Sequence, residues 1–348
     1  MVRKGYQSHC KLRDQMKKRL IGKTNVGAIG LGCMGMSYAY GAADNAESLK
    51  VLNRALELGV NHWDSADMYG AGANEHLLAE GLKGVRDQVF LVTKFGNVFD
   101  RALTSHQDQV AAQAGWIVDG TPAYAHKCID LSLQRLQVDH VDLYYLHRVD
   151  DQVPIEDTVG AMAEMVTAGK IRNIGLSEAS AETIRRAAKV HPIAAVQSEF
   201  SLWTRDYEAD VIPLCKELGI TFVPYSPLGR GFLTGQIKSI EDLAADDWRR
   251  QNPRFQGENF AKNMEIVAQV KSIADAHEVT PSQVALAWVL AQGEHLAPIP
   301  GTKRLKYLEE NAASADLVLS STELETLSQI QPPEGSRYPE TSMAFVNR

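Results

Sequence analysis

Cysteine is scarce in this 348-residue chain, which has only Cys10, Cys33, Cys128 and Cys215. They form no C-x-x-C pair and no zinc-ligand spacing, so neither a disulfide framework nor a structural zinc module is indicated, and a reducing, cytoplasmic setting fits. Long apolar runs are also missing. The best candidate, VALAWVLA, falls far short of the ~20 residues a membrane helix needs and reads as a core helix. No low-complexity tract or Pro/Ser-rich linker interrupts the chain, which gives no reason to cut it in two. Net positive charge is confined to the start: residues 1–20 carry seven basic side chains and one acid, a net +6, and the rest carries −13, for a total of −7. An acidic body argues against a nucleic-acid backbone as partner.

The basic leader lacks the Ser-rich amphipathic pattern of a transit peptide and the apolar core of a signal peptide. Residues 1–15 read as a disordered extension, with Met16 a natural start; residues 16–332 read as one domain and 333–348 as a C-terminal tail. Apolar residues at 45% and charged residues at 23% describe a globular protein with a full core.

Eight short apolar runs recur along the chain: GAIGLG, GVNHWDSA, VFLVTKFG, VDLYYLH, IRNIGLS, AAVQSEF, ITFVPYS and APIPG. Amphipathic segments such as AESLKVLNRALELG, NEHLLAEGLKG and IEDTVGAMAEMVTAG lie between them. Eight strand–helix alternations with nearly continuous apolar strands predict an α/β fold, a closed (β/α)8 TIM barrel in a single domain. Two segments exceed the repeat. One runs from Asn97 to Pro122; the other, from Gly229 to about Phe260, is glycine-containing and rich in Arg and aromatics. Both follow strands, where barrel active sites form, and the second reads as a lid.

Polar residues stand at the tips of successive runs: Asp64 ends the second, Lys94 the third and His147 the fourth, with Tyr69 in the turn beyond Asp64. Singly, each has a bland explanation: a helix cap, a half-buried loop phenol, a solvated strand end, a satisfied core histidine. Together, at adjacent strand tips, they suit the handling of one proton. A free phenol titrates near 10, and an adjacent ammonium held by a carboxylate is expected to lower that value. His147 is placed to orient a substrate oxygen towards Tyr69.

NHWDSADMYG, LVTKFG and DLYYLHRVD together resemble the Asp–Tyr–Lys–His signature of the aldo-keto reductases. Further matches run from about Leu20 to Ile330, including GLGCMGMS, IRNIGLSEAS, VQSEFSLW, YSPLGRGFLTG and IPGTKRLKYLEEN. The resemblance implies Asp64, Tyr69, Lys94 and His147 as the catalytic set, and NADPH (NADP+) as hydride carrier on a barrel without a Rossmann domain. It implies reduction of small-molecule aldehydes or ketones to alcohols.

Gly30, Gly32 and Gly35 spell G-x-G-x-x-G, but the expected helix is delayed to about Ala46 and Glu57 lies inside it, so this is no dinucleotide fingerprint. These glycines read as letting the first strand's tip approach a ligand, with Met34 and Gly35 under the nicotinamide. By resemblance, Ser177 and Gln197 bind the carboxamide, Tyr225 stacks on the nicotinamide, and Ser226, Leu228 and Arg230 line the pyrophosphate. Gly301, Thr302, Lys303 and Arg304 open a helix and match the family's 2′-phosphate pocket, a position helix dipoles favour; Glu310 and Asn311 match its adenine contacts. Two positions depart from the pattern: Glu178 stands where many members have Asn, and Tyr307 where many have Arg. Met36, Tyr38, Phe95, Trp203 and Trp248 are expected to line an apolar substrate pocket.

Two other functions are open to this sequence. His62, Asp64 and His147 could hold the metal of a barrel hydrolase, although Lys94 would then have to be carbamylated or idle. A cofactor-sensing subunit on the same barrel would bind NADPH and consume it very slowly.

Overall fold

The computed structural model describes residues 16–41, 43–98, 117–245, 247–343 and 346–347. The expected extension over residues 1–15 and most of the segment between Asn97 and Pro122 lie outside the described residues. A hairpin, β1 (Lys18–Ile21) and β2 (Thr24–Gly27), precedes a seven-stranded parallel sheet. Its strands, in spatial order, are β3 (Leu31–Gly32), β4 (His62–Asp64), β5 (Phe90–Phe95), β8 (Leu143–Leu146), β9 (Ile174–Ser177), β10 (Ile193–Glu199) and β11 (Thr221–Tyr225). Between β5 and β8, β6 (Asn97–Val98) and β7 (Ile117–Val118) pair as an antiparallel ladder at the base of the first long segment.

The eighth run, Ala297–Gly301, is not a regular strand, and two prolines explain why. Ala297 and Ile299 donate to the carbonyls of Phe222 and Pro224 in β11 (3.0 Å each), while Pro298 and Pro300 accept from Gly30 (2.9 Å) and Gly32 (3.3 Å). Pro298 and Pro300 have no N–H to return, so the ladder towards β3 is half made. The barrel closes nonetheless.

Helices cover the outside: α1 (Asn45–Glu57), α2 (Ala73–Leu82), α3 (Pro122–Leu136), α4 (Ile155–Thr167), α5 (Ala181–Val190) and α6 (Val211–Leu218) alternate with the strands. Side-chain caps at Asp44, Thr121, Ser180 and Asp210 start four of them. The second long segment is a chain of short 3-10 turns from Gly229 to Phe255 and then becomes a 20-residue helix, α7 (Gly257–Ala276), followed by α8 (Pro281–Ala291), α9 (Leu305–Ala313), α10 (Ser321–Ser328) and α11 (Glu340–Met343). Inside the barrel, Phe90, Val92, Leu143, Tyr145, Val223 and Ile299 pack with Ile21 and Val26 of the hairpin, which plugs the end away from the strand tips. Among the described residues no helix is long and apolar enough to cross a membrane.

Candidate active site

Register places the catalytic candidates. Asp64 of β4 pairs with Val92 of β5, so Lys94, two residues further along, points to the same inner face one step above. Lys94 Nζ contacts Asp64 Oδ1 and donates to the Ser65 carbonyl at 2.7 Å; Gln197 Nε2 donates to the other carboxylate oxygen at 2.8 Å. Lys94 is fully buried. Tyr69 arrives from a turn whose next three residues, Gly70, Ala71 and Gly72, all have left-handed backbones (φ 57°, 50° and 96°). A side chain at Gly72 would meet Arg135 at 2.6 Å, so this turn requires glycine there. The phenol oxygen lies 3.5 Å from Lys94 Nζ, and its ring meets that of His147 edge-on at 5.9 Å. All four side chains converge.

The electrostatics differ from expectation. Burial, seconded by Asp64, raises the Tyr69 phenol well above its usual value, and Arg148 only partly opposes this. The ammonium of Lys94 is already held by Asp64 and a carbonyl, so little of its field is left to release the phenolic proton. Tyr69 is therefore a proton donor that stays loaded. Burial, with Lys94 and Arg148 adding to it, lowers His147 well below its usual value, and its Nδ1 has no partner. A neutral imidazole beside a protonated phenol can orient a carbonyl oxygen and protonate the alkoxide formed there. With these directions, kcat/KM for reduction should be flat from about pH 6 to 9, because His147 charges only below that window and Tyr69 ionises only above it. Alcohol oxidation needs the phenolate and should accelerate with rising pH. A pH profile of both directions checks this, and an inflection near 7 in reduction contradicts it.

The tetrad opens into a cavity of about 760 Å³ that runs to the start of α9. Every residue expected to touch a dinucleotide lies on its wall, from Met34, Gly35 and Asp64 through Ser177, Gln197, Tyr225, Ser226, Leu228 and Arg230 to Gly301, Thr302, Lys303, Arg304, Glu310 and Asn311. The cap residue Arg304 gives no side-chain acceptor to the first turn of α9, which leaves amide donors available to an anion. Overhead, Lys303 Nζ donates to the Tyr40 carbonyl at 2.6 Å, and Tyr307 OH donates to Gln236 at 2.9 Å. Tyr307 thus bridges the cleft to the segment that follows Gly229.

Several expectations need correcting. Met36, Phe95 and Trp203 are fully buried and off the cavity wall: Phe95 stacks on Tyr144 at 5.0 Å and Trp203 packs on Phe232 at 4.2 Å. Their positions next to strand tips suggested the pocket, but Phe95 alternates with Lys94 along β5 and so faces the core, while Met36 in a 3-10 turn and Trp203 in the turn beyond β10 are packed into it. Tyr38 and Trp248 do line the cavity. Gly30 and Gly32 make room mainly for the protein itself, since side chains there would meet the His62 ring (2.8 Å) and the Ile299 carbonyl (2.9 Å). His62 is buried against Phe90 and does not reach the cavity. Among the described residues no cluster of three His, Cys, Asp or Glu side chains could hold a metal.

Glu178 has turned away from the cavity. It is fully buried, and Arg337 grips both its oxygens while Tyr207 OH and the Glu199 amide donate to it at 2.9 Å. Burial would raise its carboxyl, yet Arg337 and Arg148 hold it down at about 2. Arg230 likewise spends a donor on Glu199 at 2.8 Å and another on the Arg337 carbonyl at 2.9 Å. The C-terminal tail is therefore part of the site, and Tyr338 OH meets Tyr225 OH at 2.9 Å. No local pattern marked Arg337 or Tyr338 for this.

Residues 28–332 match the model of the Aldo/keto reductase family. The chain belongs to the aldo/keto reductase family. It is 46% identical over 329 residues to the aldo-keto reductase yakc [NADP(+)] of Schizosaccharomyces pombe, covering 92% of this chain and 94% of that one. It is 46% identical to the aldo-keto reductase str7 of Strobilurus tenacellus, covering 88% and 89%. Among solved aldo/keto reductase-like structures, the glycerol dehydrogenase AKR11B4 from Gluconobacter oxydans is 25% identical with a TM-score of 0.80, covering 89% of this chain and 94% of that one. An aldo-keto reductase from Klebsiella pneumoniae in complex with NADPH is 27% identical with a TM-score of 0.69, covering 93% and 99%. Like them, this family member is an oxidoreductase on a (β/α)8 barrel.

Proposed function

We propose that Tyr69 is the general acid of an NADPH-dependent reduction of small-molecule aldehydes or ketones to alcohols, with Lys94 and Asp64 supporting it and His147 orienting the substrate. The observation that carries this reading is the Lys94–Asp64 contact with Tyr69 OH 3.5 Å from the ammonium, beside a cavity of about 760 Å³ lined from Met34 and Asp64 to Arg304 and Asn311. The cofactor is NADPH, which supplies a hydride when bound. Ser177 and Gln197 hold its carboxamide, Tyr225 its ring, and Lys303 with Arg304 its 2′-phosphate. The alkoxide left by hydride addition is far more basic than any phenol, so Tyr69 gives up its proton readily despite its raised value. The segment from Gly229 serves as a lid, residues 16–332 form the single catalytic domain, and the three described cysteines, unbridged and buried, suit the cytoplasm.

The cofactor choice is testable at Arg304, which is exposed and lies over the Tyr307 ring at 5.9 Å. Charge-assisted hydrogen bonds to phosphate are worth about 1.5–3 kcal/mol, and solvent screening places this one at the low end. Arg304→Ala should weaken NADPH binding roughly 10-fold and leave NADH nearly unchanged. Titrating both cofactors by tryptophan fluorescence gives the comparison, and equal losses would remove Arg304 from the phosphate.

A further inference from the structure

Four buried arginines, Arg148, Arg230, Arg254 and Arg337, surround the cavity and its lid, against two buried glutamates, Glu178 and Glu199. Three of the arginines are accounted for. Arg230 pairs with Glu199 and Arg337 with Glu178, while Arg254 donates to the Trp203 carbonyl (2.8 Å), the Thr204 hydroxyl (2.7 Å) and the Gly335 carbonyl (3.1 Å). Arg148 differs. Only 5% exposed, it stands on the cavity wall immediately after His147. Its Nη1 makes one long bond, 3.4 Å, to the His147 carbonyl, the Tyr225 phenol is a further side-chain hydrogen-bond partner, and its Nε has no partner. The phenols of Tyr225 and Tyr338 and the Glu178 carboxylate lie near it, but the Glu178 oxygens are already taken by Arg337, Tyr207 and the Glu199 amide.

A buried guanidinium that keeps an unpaired N–H is costly unless something anionic completes it. The cofactor brings no anion to this end of the cavity, because its phosphates belong with Ser226–Arg230 and with Lys303 and Arg304. Arg148 follows His147 in the chain, and its charge is felt at both Tyr69 and His147, the pair proposed to hold the substrate's carbonyl oxygen. We propose that Arg148 binds a carboxylate on the substrate, so that the preferred substrates are carbonyl compounds with a carboxylate a few bonds from the reducible carbon. This rests on the reductase reading above. The planar fork of arginine fits a carboxylate through two parallel hydrogen bonds, which lysine cannot reproduce. Arg148 is thus a specificity-determining residue that also helps keep His147 neutral.

The test uses matched pairs that differ only in the charge: glyoxylate against methyl glyoxylate, and succinic semialdehyde against its methyl ester. With the intact protein and NADPH, kcat/KM should favour each acid over its ester by about 10- to 100-fold. In Arg148→Gln the acids should lose at least about 10-fold more than the esters, mainly through KM, and Arg148→Lys should recover part of the loss. Esters turned over as well as or better than acids by the wild type would overturn the inference while leaving the reductase reading intact. So would a parallel loss on acid and ester, or a matching loss of NADPH affinity in Arg148→Gln, which would give the guanidinium to the cofactor. If the wild type reduces neither member of any pair, it is the reductase reading that fails.

Discussion

Replacing Tyr69 with Phe is expected to cut kcat for carbonyl reduction by about 10²-fold or more, the usual scale for losing a positioned acid, while NADPH affinity stays within about twofold of wild type. The ring keeps its edge-on contact with His147 and its stack with Tyr38 at 6.2 Å, so only the proton donor disappears. Because the phenol is held protonated by burial, no compensation should come from changing pH. Fluorescence titration of the cofactor beside steady-state turnover separates the two effects, and near-wild-type kcat in Tyr69→Phe would reject the assignment.

Arg337→Ala should produce the largest loss of stability. The residue is 2% exposed and serves Glu178 directly, and its carbonyl accepts from Arg230 and from Asn252 at 2.8 Å. Removing one partner of a buried pair leaves the other charge uncompensated, at a cost of about 3–5 kcal/mol. For a chain of this size that lowers Tm by roughly 4–7 °C. Changing both partners, Glu178→Gln with Arg337→Met, should cost less than the sum of the single changes, since neither charge is then stranded. Thermal denaturation of wild type, Arg337→Ala, the two single variants of the cycle and the double variant measures it, and a shift below about 2 °C in Arg337→Ala would show that the tail contributes little.

What could be read from the sequence followed local rules. Strand ends announce themselves by the switch from apolar runs to polar residues, so Asp64, Lys94 and His147 were visible, and the order of strands brought them together. Tyr69 is legible as a residue of the turn beyond Asp64, but the left-handed backbone of Gly70, Ala71 and Gly72 that presents it is not. Other features depend on partners far along the chain. Arg337 and Glu178 are 159 positions apart, and no periodicity links them. The irregular eighth strand follows from Pro298 and Pro300, which an apolar run conceals. Met36, Phe95 and Trp203 sat beside the right tips, but which face a side chain takes there depends on register that one sequence does not reveal. The direction of the Tyr69 shift turned on burial, which outweighs a lysine already held by Asp64.

The most direct measurement is NADPH consumption by the purified protein over a panel of simple aldehydes and ketones, with the alcohol quantified alongside. The account predicts one alcohol formed per NADPH consumed, at turnover numbers of about 1 s⁻¹ or more for good substrates. A protein that binds NADPH tightly but consumes it on no member of the panel would contradict it, and would fit a barrel that senses the cofactor without using it.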